Sequence, residues 1–103
     1  MTGDKILTLL GFCRKAGKLT AGTEKVTELV KKGVSCLVML SSDISAKTEK
    51  ELKYHASGGK AVFIRLNFDR KTVAHATKTT AGVLATADEG FQKAILQGGN
   101  VNE

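Results

Sequence analysis

Five residues suited to binding chemistry crowd one short stretch, TAGTEKVTELVKKG (Thr20–Gly33): Gly22, Thr23, Glu24, Lys25 and Glu28. At about 100° per residue Val26, Leu29 and Val30 fall on one side of a helix, with Glu24, Glu28 and Lys31 opposite and Lys25 and Lys32 on one flank. Gly22 and Thr23 open that helix and Gly33 closes it. Its first turn carries backbone N–H groups with no helical partner and the positive end of the helix dipole, which together suit a phosphate. A glycine at the opening lets a backbone or a base edge come close. An ordinary explanation stands beside this one: Glu24 complements the dipole, and Glu28 pairs with Lys31 or Lys32. The residues alone leave both readings open.

Chemistry of the catalytic kind is harder to find. GGK at Gly58–Lys60 lacks the spacing and the hydroxyl residue of a P-loop, and no dinucleotide glycine pattern follows a strand. Cys13, Cys36, His55 and His75 lie far apart and form no paired ligand spacing. Both cysteines sit among apolar residues and read as buried free thiols. Both histidines lie on amphipathic helical stretches and read as partly buried structural residues. Asp43 follows a strand, where it serves equally well as a functional carboxylate or as a local cap. No nucleophile is paired with a base, so the expectation is a binding protein without metal or cofactor, not an enzyme.

The chain has 103 residues and a hydrophobic fraction of 42%, enough for one domain with one modest core. Sixteen Lys and Arg against ten Asp and Glu give a net charge of +6 and favour a polyanionic partner, with a plain basic surface as the alternative. No apolar run is long enough to span a bilayer. Asp4 precedes the first apolar stretch, and Thr8 and Gly11 break it, so a secretory leader is not expected and the cytoplasm is the expected location. There is no proline and no low-complexity linker.

The elements that must position these residues alternate along the chain. DKILTLLGFCRKAGK has apolar residues at helical spacing and Gly17 at its end. CLVML (Cys36–Leu40) is an unbroken apolar run and predicts a central strand covered on both faces. A polar helix follows, with Ser42, Asp43 and Ser45 as candidate caps and Gly58-Gly59 as its stop. AVFIRL (Ala61–Leu66) predicts a strand, Asp69–Lys78 a short helix, Gly82–Ala87 a strand, and DEGFQKAILQG a last helix capped by Asp88; residues from about 98 to 103 predict a frayed tail. Phe63 and Phe91 fall on inward positions, so the few aromatics offer no stacking platform for single-stranded bases.

The span LLGFCRKAGKLTAGTEKVTELVKKGVSCLVMLSSDISAKTEKEL (Leu9–Leu52), together with DEGFQKAI near the end, resembles the kink-turn RNA-binding family of ribosomal proteins (the L-seven-Ae family), and within it the small bacterial YlxQ-like branch. The resemblance covers nearly the whole chain in order. It implies a single α/β domain over 1–103, a three-layer α/β/α sandwich whose small four-stranded mixed sheet is completed by a brief strand around Lys18–Thr20. It also implies binding of kinked RNA with tandem sheared G·A pairs. On that resemblance the start of the second helix supplies Gly22, Thr23, Glu24, Lys25, Glu28 and Lys32. The loop Ala76–Ala81 (Ala76, Thr77, Lys78, Thr79, Thr80) covers unstacked nucleotides, and Lys15 and Lys18 reach phosphates. Two departures from the family pattern stand out. Lys25 and Glu28 reverse the order of a carboxylate and a lysine, and the covering loop is polar where branched apolar residues are usual.

The partner implied is structured RNA, a kink-turn or ribosomal RNA, with the ribosome or other translation proteins as further partners, no membrane, and a monomeric chain. Two alternatives remain: a protein-interaction module on the same fold with only nonspecific RNA binding, and a small enzyme with a cleft at Asp43 and a histidine.

Overall fold

The computed structural model describes residues 2–100. Nine elements alternate along them: α1 (Thr2–Lys15), β1 (Thr20–Ala21), α2 (Thr23–Lys31), β2 (Cys36–Leu40), α3 (Ala46–His55), β3 (Ala61–Arg65), α4 (Arg70–Thr77), β4 (Val83–Thr86) and α5 (Glu89–Asn100). The strands form one sheet in the order β1-β4-β2-β3. β2 and β3 are parallel, with Cys36 opposite Ala61 and Leu40 opposite Arg65. β4 runs antiparallel to both β2 and β1. The expected mixed four-stranded α/β sheet is therefore present. The brief strand lies at Thr20–Ala21, slightly later than the sequence placed it.

β2 explains why its sequence lacks alternation. All five of its residues are buried, because helices cover both faces of the sheet. Cys36, Val38 and Leu40 point to one layer, where they meet Val26 and Val30 of α2 and Leu52 of α3. Leu37 and Met39 point to the other, against Ile6 and Leu10 of α1, Val73 of α4 and Ile95 of α5. Full burial of one such aliphatic side chain is worth about 1.5–3 kcal/mol. β3 is a sheet edge and is only partly covered, with Val62 exposed.

Caps set the helix boundaries. Ser45 accepts from the Thr48 N–H at 3.1 Å, Asp69 from Thr72 at 2.8 Å, and Asp88 from Phe91 at 2.9 Å. These bonds fix the starts of α3, α4 and α5. The chain tail behaves differently from expectation: α5 continues to Asn100, so 98–100 extend the helix, and the rest of the expected frayed tail, 101–103, lies outside the described residues. The strand at Ala61 stops at Arg65, whose guanidinium turns back to donate to the carbonyls of Ser41, Ser42 and Ile44 at 3.0–3.2 Å and pairs with Glu49.

Candidate functional site

The short β1 does the positioning. Because Thr20 and Ala21 pair with Ala85 and Leu84, the next residue, Gly22, lies beside the start of β4 and donates its N–H to the Val83 carbonyl at 2.9 Å. The segment just before Val83 is the 78–82 loop. Two regions far apart in sequence, the first turn of α2 and the loop before β4, therefore meet at one end of the sheet. The exit of β2 reaches the same end, where the Ser41 N–H and hydroxyl both donate to the Gly82 carbonyl at 2.9 Å.

Gly22 is the N-cap of α2, with φ 109 and ψ 141 and no side-chain acceptor for the first-turn amides. The Val26 N–H returns to the Gly22 carbonyl at 2.9 Å, which leaves the N–H groups before it pointing out of the helix. A positive φ of this size is reserved for glycine, while a Cβ there would meet nothing within 4 Å. The space in front of the turn is open. Thr23, Glu24, Lys25, Glu28 and Lys32 are all exposed around it. Among the described residues the ion pairs are those of Glu49 with Lys53 (2.9 Å) and with Arg65. The alternative pairing of Glu28 with Lys31 or Lys32 is not formed, and the outward face of α2 carries unpaired charges of both signs.

In the Ala76–Ala81 loop the residues divide. Lys78 is exposed and closes α4 in a left-handed conformation, φ 56 and ψ 39, with its N–H on the Ala74 carbonyl. It is the one non-glycine residue with positive φ among those described. Thr80 is exposed, and Ala76 and Thr79 are half-buried. Thr77 turns inward instead: it is fully buried, and its hydroxyl donates to the Val73 carbonyl at 2.8 Å and lies 2.9 Å from that of Thr79. Thr77 shapes the loop and presents nothing to a ligand.

The two flanking lysines separate as well. Lys15, at the end of α1, shares a groove with Ala76 and Lys78. Lys18 lies toward the other end of β4, in a hollow it shares with Ala87, Asp88 and Glu89. The structure therefore joins Lys15 to the loop and does not join Lys18 to the front of α2.

Other candidate residues resolve into scaffold. Asp43 accepts the Arg70 N–H at 2.8 Å and so holds the start of α4. His55 is half-buried, edge-on to Tyr54 with ring centroids 5.5 Å apart. His75 is exposed, against the expectation of partial burial, because its place on the short α4 faces away from the sheet. Burial raises the pKa of Cys13, partly offset by the Thr86 hydroxyl, and raises that of Cys36; both are free thiols, held in the unreactive protonated form. Among the described residues no three His, Cys, Asp or Glu gather to hold a metal, and no helix is long and apolar enough to cross a membrane.

One surface feature escaped the sequence reading. Phe12 is 55% exposed and Tyr54 76%, so two aromatic rings reach the surface. Helical phase carries the signal: Ile6, Leu10 and Cys13 define the buried stripe of α1, and Phe12 lies about 120° from its centre.

Two of three comparisons place this chain among known proteins. A family model described as the ribosomal protein L7Ae/L30e/S12e/Gadd45 family matches residues 4–96. A solved structure of a protein of unknown function from Bacillus halodurans C aligns with a TM-score of 0.82 at 28% identity, covering 96% of this chain and 98% of that one. The 15.5 kD RNA binding protein of Giardia lamblia aligns with a TM-score of 0.68 at 13% identity, covering 98% and 88% respectively, a likeness of fold. The search of curated proteins returned no match.

Proposed function

The chain belongs to the ribosomal protein L7Ae/L30e/S12e/Gadd45 family, and from that premise we propose that it is a non-enzymatic RNA-binding protein of the translation machinery. It recognises a kinked, kink-turn-like RNA by shape, with the front of α2 and the exposed part of the 78–81 loop. The observation that carries this reading is the meeting of the two segments: the Gly22–Val83 hydrogen bond sets an uncapped helix start beside the loop before β4. Open N–H groups and the dipole favour phosphate there. Lys25 donates to guanine O6 and N7, Glu24 accepts from a guanine amino or imino group, and Lys32 and Lys78 contact phosphates. The net charge of +6 supplies the sequence-independent part of the affinity.

The exposed, unpaired Glu28 favours a second reading. A carboxylate facing phosphates repels them, as expected of a protein-interaction module that keeps only nonspecific RNA affinity. Backbone amide NMR with a kink-turn RNA separates the two. Shifts concentrated at Gly22–Lys25 and Lys78–Ala81 support the proposal, and shifts spread evenly over the lysines support the second reading.

A further inference from the structure

The groove between α1 and α4 shares only Lys78 with that contact scheme. Leu7, Gly11, Phe12 and Lys15 of α1 and Ala76 and Lys78 at the end of α4 line it, with Phe12, Lys15 and Lys78 exposed at its rim and the others half-buried. A Cβ on Gly11 would come within 3.3 Å of the Ala76 carbonyl oxygen. The missing side chain is what lets the two helices approach and brings the Phe12 ring next to the start of the loop. The groove has a volume of about 320 Å³, at the lower end of the range of about 300–1,000 Å³ for small-ligand sites. A neighbouring hollow shares Leu7 and Ala76 and adds Lys71 and His75. Neither concavity has a carboxylate in its wall.

We infer that this groove takes one unpaired nucleobase of the bound RNA, stacked on Phe12, with Lys15 and Lys78 on the phosphates to either side. The inference rests on the RNA-binding reading and adds a contact to it. Three properties favour a nucleotide over another occupant. The exposed ring offers a π-face, which any base can stack on. The charges at the rim are all positive, complementary to a backbone and not to a second copy of a basic chain. The groove is also continuous with the proposed interface, because Ala76 and Lys78 belong both to its wall and to the segment that leads to Val83 and Gly22.

The test is a set of titrations with a kink-turn RNA and with versions in which each unstacked nucleotide in turn is replaced by an abasic residue. Phe12→Ala is expected to lower affinity about 5- to 150-fold, with an unchanged salt dependence because no charge is lost. Phe12→Trp should retain binding. One abasic position should cost the parent protein a similar factor and cost Phe12→Ala nothing more. Phe12 is exposed, so both variants should keep the parent Tm. Parent-like affinity of Phe12→Ala, in a protein whose Lys25→Ala variant loses binding, overturns the groove assignment and leaves the RNA reading standing; that is also the result expected if the groove holds another protein. Failure of the parent protein to prefer the kinked RNA overturns both.

Discussion

Gly22→Ala isolates the backbone geometry on which the site depends. The residue sits at φ 109, ψ 141, where a side chain costs about 1–3 kcal/mol. A methyl group would meet nothing within 4 Å, so there is no collision to add and no packing to gain. Alanine also restricts the unfolded chain, which offsets about 0.4–1 kcal/mol. The balance is a net loss of about 1.5 kcal/mol, equivalent to a fall in Tm of about 6–12 °C for a domain of this size. Urea unfolding should show a lower midpoint with an unchanged slope. If the strain is relieved by turning Gly22 to negative φ, the bond to Val83 breaks and the front of α2 moves away from the loop. Affinity for kinked RNA, measured on fully folded protein, should then fall as well. A variant as stable as the parent, or more stable by the entropic amount, would refute the claim that this glycine holds a conformation other residues avoid.

Four further outcomes are expected. Lys25→Ala should cost about 1–3 kcal/mol of binding and relax discrimination at one guanine; unchanged affinity and unchanged guanine preference remove Lys25 from base reading. Lys32→Ala should weaken all RNAs alike and reduce the slope of log affinity against log salt by about one unit, and an unaltered slope means that it touches no phosphate. Lys78→Gly relieves a left-handed conformation costing about 1 kcal/mol, so it should be at least as stable as the parent while binding RNA more weakly; lower stability contradicts the strain argument. Hydrogen bonds from Arg65 and Lys53 hold the Glu49 carboxyl below its ordinary value of 4.5. Its contribution to stability is then complete above that value and is lost as pH falls through the lower, folded value. Glu49→Gln should flatten the acid side of the stability profile, and an identical acid limb would show that the cluster does not contribute.

Much of the fold could be read from local signals. The unbroken CLVML run announced a strand buried on both faces, and Ser45 and Asp88 announced helix starts that their hydrogen bonds bear out. What the sequence could not show was pairing across distance. Nothing local to Thr20–Ala21 says that it joins β4, yet that two-residue contact is what brings Gly22 to the 78–82 loop. The same limit explains the divided lysines: Lys15 and Lys18 are neighbours in sequence, and the chain turn at Gly17, φ 73, sends them to different places. Thr77 looked like a loop residue, but helix phase points its hydroxyl back to Val73. Asp43 had two equal readings until its partner, the Arg70 N–H, came from a helix far along the chain. Phe12 was legible in principle, from its phase against Leu10 and Cys13, because exposure on a helix follows from angle alone.

The most direct test of the central claim is a titration of the protein against a kink-turn RNA and against the same RNA with its tandem G·A pairs replaced. The salt should be near 0.15 M, roughly where nonspecific contacts are already weakened. The account predicts tight binding to the first RNA and much weaker binding to the second. Equal, weak binding to both would contradict it and would leave a basic surface on an α/β fold with no reading of the kink.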